Sequence, residues 1–198
     1  LSLTTRREDQ PVTCEHADGP FETNFTSASI TSLGKFSQTF GRFEIRAAMP
    51  ATNGPGIHSA LWMVPDEPTY YGSGPGSGEI DIMEFFSANP DRVIPTLHYN
   101  SLISFAQRTN NECLVFDPTA FHTYLLEWTA EKITMSVDGT TCLSHTISPL
   151  APLLGSAPFD QPFNINLTQA LGSGKNTLPE GASLQDATLT VDYVRAWS

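Results

Sequence analysis

No stretch of this sequence repeats its apolar residues at the period of a helix, whereas short runs rich in β-branched and aromatic residues recur between Gly, Pro and Asn. That feature restricts the chain to an all-β fold. The runs are "SASITSLGKFSQTFGRFEIRAAMP", "HSALWMVP", "GEIDIMEFF", "TLHYN", "YLLEWTAEKITMSVDG" and "ATLTVDYVRAW". They spread over 198 residues with no repeat of fixed period and no Pro/Gly/Ser linker between dissimilar halves. The expectation is one domain, 1–198, built as a sandwich of two antiparallel sheets rather than a small barrel.

Side chains alternate faces along a strand, so each run divides into two sets. In "FGRFEIRAA" Phe43 and Ile45 point one way and Arg42, Glu44 and Arg46 the other. In "ALWMVP" Leu61 and Met63 share a face and Trp62 takes the opposite one; in "TLHYN" Leu97 and Tyr99 alternate with His98. A polar, aromatic and charged face recurring across strands suits a sugar groove, with flat rings for stacking and polar groups for hydroxyls. A plain solvated sheet face is the alternative.

"GEIDIMEFF" places Glu79, Asp81 and Glu84 inside an apolar run. In a regular strand Glu79 and Asp81 face together, but Glu84 would point into the core, where a lone carboxylate is expensive. One extra residue restores the parity: with Met83 as a β-bulge, Glu84 rejoins the other acids and Phe85 rejoins Ile80 and Ile82. Glu79 and Glu84 then stand roughly 13 Å apart at Cα, which lets their carboxyls approach to about 5–6 Å. That separation suits retaining glycoside hydrolysis, in which one carboxylate attacks the anomeric carbon and the other protonates the leaving oxygen. Three acids so close cannot all ionise freely, so at least one pKa should rise. A divalent-cation site or a solvated edge would be the other use of three acids, although a strand of isoleucines is an unusual cation loop.

The formal charge of −11, with ten Lys plus Arg scattered singly, argues against nucleic acid and anionic membranes as partners. No apolar run is long enough to span a bilayer, and "LSLTTRRED" does not read as a signal peptide, so the chain is expected to be a mature or trimmed product. Cys14, Cys113 and Cys142 lack the paired spacing of a zinc site. Cys113 and Cys142, each beside a strand-like run, are expected to form a disulfide with Cys14 left over; three ordinary buried thiols are the alternative. Sequons stand at Asn24 and Asn166.

"GEIDIMEFF" resembles the active-site signature of glycoside hydrolase family 16, in the bulged E-x-D-x-x-E form of laminarinases. "GRFEIRAAMP", "ALWMVP", "LHYN", "FHTYLLEWTAEKITMSVDG", "PFDQPF" and "VDYVRAW" join it in order, so the resemblance runs from about Ser27 onward. It implies a concanavalin-like β-jelly-roll with a concave sugar cleft. Glu79 would be the nucleophile, Glu84 the general acid/base and Asp81 the assisting carboxylate. Trp62 and His98 would line the cleft, Arg46 would reach sugar hydroxyls or pair with Glu44, and His122 and Trp128 would be structural. No cofactor is needed for catalysis, and the ion the resemblance admits is a structural calcium on the convex side, through Asp192.

The chain departs from the family pattern in three places. "GIHSALW" carries His58 where a sugar-stacking tryptophan is usual. "NINLTQALG" carries Thr168 and Gln169 where an Asn precedes the glycine turn, and Gln169 is expected to take over its hydrogen bond. The chain also begins late, as a trimmed or a short member would. The implied protein is a secreted, monomeric, retaining endo-β-1,3-glucanase acting on a neutral polysaccharide. Mixed-linkage glucan or galactan as substrate, transglycosylation, and a non-catalytic lectin are the alternatives.

Overall fold

A computed structural model describes residues 1–52 and 54–198. Thirteen strands form two antiparallel sheets, with only short 3-10 turns among the described residues. In chain order they are β1 (Ser2–Cys14), β2 (Phe21–Thr26), β3 (Ala28–Thr31), β4 (Gly41–Ala48), β5 (Ile57–Pro65), β6 (Glu79–Phe86), β7 (Arg92–His98), β8 (Cys113–Leu114), β9 (His122–Trp128), β10 (Lys132–Val137), β11 (Thr140–Thr146), β12 (Phe163–Leu171) and β13 (Ala187–Trp197). A seven-stranded sheet runs β11-β10-β9-β4-β13-β1-β2, and a six-stranded sheet runs β3-β12-β5-β6-β7-β8. The architecture is the expected jelly-roll sandwich.

The alternation in the sequence fixes what lies between the sheets. Phe43, Ile45, Tyr124, Leu126 and Trp128 project inward from one sheet, and Leu61, Met63, Ile80, Phe85, Leu97 and Phe163 from the other; all are buried. Trp128 is the hub, packed edge-on against Phe163 at 5.2 Å and Phe40 at 5.5 Å between ring centres. Each fully buried aromatic of this kind stabilises the fold by about 1.5–3 kcal/mol. His122 is likewise structural: its Nδ1 lies 2.6 Å from Asp138 Oδ2 and its Nε2 2.9 Å from the Asp117 carbonyl.

Cys113 and Cys142 are bonded, with Cα atoms 5.3 Å apart, tying β8 to β11 and so one sheet to the other; Cys14 is free. The sequon at Asn166 lies inside the structure: its side chain is buried and donates to Asn164 Oδ1 at 2.8 Å. A glycan therefore has no access to it in the folded chain. Asn24, on β2, is half-buried.

Candidate active site

The three acids of β6 lie on the outer face of the six-stranded sheet. Gly78 delivers the chain to them, with φ +85°, in a spot where a Cβ would come within 2.9 Å of Pro158 Cγ. Only glycine enters β6 at that angle and that closeness. Against β5 the register runs Trp62↔Asp81 and then Leu61↔Met83, so Ile82 is unpaired; against β7 it runs Asp81↔Thr96 and then Glu84↔Ile94. The expected bulge is present, but the residue without a β5 partner is Ile82, not Met83. Leu61 already occupies the core position opposite Met83, so Ile82 is the one squeezed out of register, and both side chains end up buried. Pro95, with no N–H to offer, is the single residue opposite them on β7, where a bulge tolerates it.

Glu79, Asp81 and Glu84 share a cleft of about 220 Å³ with His58, Ala60, Trp62 and Thr168. Asp81 is the most enclosed, and its buried Oδ2 finds no hydrogen-bond partner of good geometry. Its charge is compensated instead by His98, whose Nε2 lies 3.2 Å away. That contact raises the His98 pKa against the opposing effect of burial. Glu79, burdened by burial and then by the Asp81 charge, is pushed up to about 7. Glu84 is pushed up to about 7 by the same two causes in the same order. The Thr96 hydroxyl donates to Glu84 Oε2 at 3.4 Å and sits 3.0 Å from the Thr109 hydroxyl. Glu79, Asp81 and His98 also offer ligand atoms within 4.8 Å of one another, a spacing that could hold a cation.

The β5 wall carries the aromatic surface. Trp62 Nε1 donates to Thr168 Oγ1 at 3.0 Å, and Thr168 is 3.0 Å from the Ser29 hydroxyl, so the indole plane is fixed from β12 and β3. His58 stacks on Phe86, its cross-strand partner, with ring centres 4.6 Å apart, and its Nε2 lies 3.8 Å from Glu84 Oε1. Burial lowers the His58 pKa, which favours the neutral imidazole beside Glu84. One strand thus supplies an indole on the cleft wall and an imidazole beside Glu84. The sequence profile described as "Glycosyl hydrolases family 16" matches residues 2–195.

The chain belongs to glycosyl hydrolases family 16. A beta-glucanase of Rhodothermus marinus is 41% identical over 191 residues, covering 90% of this chain and 64% of that protein. Glucan endo-1,3-beta-glucosidase A1 of Niallia circulans is 33% identical over 184 residues, covering 87% of this chain and 26% of that protein. The chain thus spans less than two thirds of the length of either relative. The solved structure of the laminarinase from Rhodothermus marinus superimposes with a TM-score of 0.76 at 34% identity, covering 99% of this chain and 76% of that one.

Within this family-16 fold, two expected placements, Arg46 and Gln169, need correction. Arg46 is not in the cleft: β4 belongs to the seven-stranded sheet, and Arg46 lies on that sheet's outer face, over the Phe121 ring and 2.6 Å from Asp192. Asp192, expected as a calcium ligand, accepts from that guanidinium through Oδ2. Gln169 points into the sandwich, where it is fully buried, accepts from the Ser59 hydroxyl at 2.6 Å and reaches Thr5 Oγ1 at 3.4 Å. Its neighbour Thr168 takes the cleft position by simple alternation. Thr96, Thr168 and Phe86 are site residues the sequence reading missed. Parity against Asp81 and Trp62 would have found the first two.

Proposed function

We propose that this chain is a retaining endo-β-glucanase that cleaves internal β-1,3 bonds of laminarin-type glucan. The observation that carries the reading is the pair of glutamates in one cleft, both held near pH 7 by burial and by the Asp81 charge, beside an indole fixed for sugar stacking. The beta-glucanase and laminarinase names of the relatives support the substrate.

In the first step Glu84 gives its proton to the glycosidic oxygen while a Glu79 oxygen attacks the anomeric carbon, breaking the bond to the leaving sugar. Glu79 must be ionised at that moment. The positive charge on His98 favours the anion at Glu79. In the second step Glu84, now a carboxylate, removes a proton from water, which attacks the anomeric carbon and releases Glu79. Thr96 and His58 hold Glu84 through both roles. Catalysis on this route uses only the chain's own carboxyls.

A polymer too large to cross a membrane and an internal disulfide both support an extracellular setting for such an enzyme. The cleft residues named above all come from one chain, which suits a monomer. The decisive experiment is reducing-end release from soluble β-1,3-glucan by the wild-type protein beside Glu79→Gln, with mixed-linkage glucan and agarose in parallel. Cleavage of β-1,3-glucan that disappears in the variant is the expected result. Activity confined to another polymer would overturn the substrate, and binding without turnover by the wild type would overturn the enzyme.

A further inference from the structure

Of the exposed aromatic rings, Phe105 is the one whose surroundings point to a ligand. It sits in the 3-10 turn Phe105–Gln107 between β7 and β8 and is 48% exposed. Phe116 is still more exposed, but it flanks the groove beside the disulfide, and Phe121 lies under Arg46 on the other sheet. Phe105 instead lies beside His98, at the acid cluster. Its ring centre is 5.5 Å from that of His98, the residue that compensates Asp81.

The ring is also held from behind. The Arg108 guanidinium lies 5.5 Å from the Phe105 ring centre and 5.2 Å from that of the buried Tyr99, so it is layered between them. Arg108 Nη1 donates to the Tyr99 carbonyl at 2.7 Å and the Leu97 carbonyl at 3.3 Å, and the Arg108 backbone N–H closes the turn onto the Phe105 carbonyl at 2.8 Å. The Tyr99 hydroxyl is fixed in turn by His145 at 2.6 Å. The exposed half of the phenyl ring gains nothing for the fold from such support, because that surface remains in water. Holding it in place does reduce the entropy lost when a ligand stacks on it.

Register shows which side of the cleft it serves. Trp62 stands on β5, one strand to one side of β6, and His98 on β7, one strand to the other. Phe105 extends the cleft beyond His98. We infer that Phe105 is a sugar platform on the β7 side, stacking on a pyranose ring across the carboxylates from Trp62, and that the two rings grip the polymer on both sides of the bond that is cut. This rests on the glucanase reading and deepens it, since a chain held on both sides is cut internally.

Affinity electrophoresis in gels containing soluble β-1,3-glucan tests it, in a Glu79→Gln background so that binding is read without turnover. Phe105→Ala is expected to weaken retardation about five- to tenfold, with Phe105→Trp retaining it and Phe105→Leu failing like Ala. In the otherwise wild-type enzyme the change should appear mainly as a higher KM for long glucan, the signature of lost uniform binding. Thermal melting of each variant controls for folding. Parental retardation in Phe105→Ala overturns the inference while leaving the glucanase intact. Rescue by Leu also overturns it, because the ring would then be only a prop for His98 and Arg108. If the wild type neither binds nor cuts any β-glucan, the glucanase reading fails and this inference falls with it.

Discussion

Each sheet bends at a bulge that turns an acid outward, and the two bulges treat their acids oppositely. On β13 the register passes from Val191↔Ala47 to Tyr193↔Arg46, which leaves Asp192 unpaired and swings it onto Arg46. Beside it Glu44 accepts from Tyr193 and Arg42, and these hydrogen bonds lower its pKa. On β6 the unpaired residue is the apolar Ile82; of the acids it brings into line Asp81 is buried, and the two half-buried glutamates have raised pKa values. The same local device gives a compensated surface in one sheet and an under-compensated cluster, three acids beside His98, in the other. Reactive carboxyls require the second, because a paired carboxylate neither attacks nor holds a proton near neutrality.

The largest effect expected from that contrast is kinetic. Glu79→Gln or Glu84→Gln should lower kcat for β-1,3-glucan by about 10³-fold or more, whereas Glu44→Gln should change it by less than about twofold. A comparable loss at Glu44 would mean that charge compensation does not distinguish the two faces. Next comes removal of the bulge itself. Deleting Ile82 lets Leu61 pair with Met83 and Trp62 with Asp81 in regular alternation, so all three acids stay outward. The cost is the buried Ile82 side chain, about 2–4 kcal/mol by denaturant titration, with an activity loss of about 100-fold from the displaced Glu84. Unchanged activity in a folded deletion variant would remove the bulge from the mechanism.

The under-compensated cluster should also destabilise the fold, with a definite pH dependence. Glu84 titrates at 4.5 ordinarily and at about 7 in the folded chain. Below pH 4.5 both states hold the proton and the group is neutral to stability. Between 4.5 and about 7 the unfolded chain releases it first, so stability falls as pH rises. Glu84→Gln should therefore stabilise the protein by about 1–3 kcal/mol at pH 8 and by little at pH 4, seen as a rise of a few degrees in Tm at the higher pH only. An equal rise at both values would assign the effect to packing rather than to charge.

Alternation made much of this legible in the sequence. It separated Trp62 from Leu61 and Met63, demanded a bulge before Glu84, and predicted a raised carboxyl pKa there. It did not say which sheet a strand joins, and Arg46 was misplaced for that reason: its face was read correctly and its sheet was not. Gln169 failed differently, through a hydrogen-bonding role assigned against its own parity beside Thr168. The bulged residue was misplaced by one because Ile82 and Met83 are both apolar, and only the β5 register separates them. Phe105 left no mark at all. It lies in a turn with no period, and its role depends on Arg108 bonding back to β7.

The smallest effect belongs to the compensated face. Arg46 and Asp192 are 37% and 48% exposed, so their 2.6 Å contact is screened by water and salt. Arg46→Ala should cost less than about 1 kcal/mol, part of it from the guanidinium lying over Phe121, and the remainder should shrink further in 1 M NaCl. The salt dependence is the informative part. A loss that persists in high salt is packing on Phe121; one that vanishes is the ion pair. A rise in KM for glucan in the same variant would break the comparison outright, because it would put the outer face of the seven-stranded sheet in contact with substrate and make its neat pairing of charges part of a second binding surface.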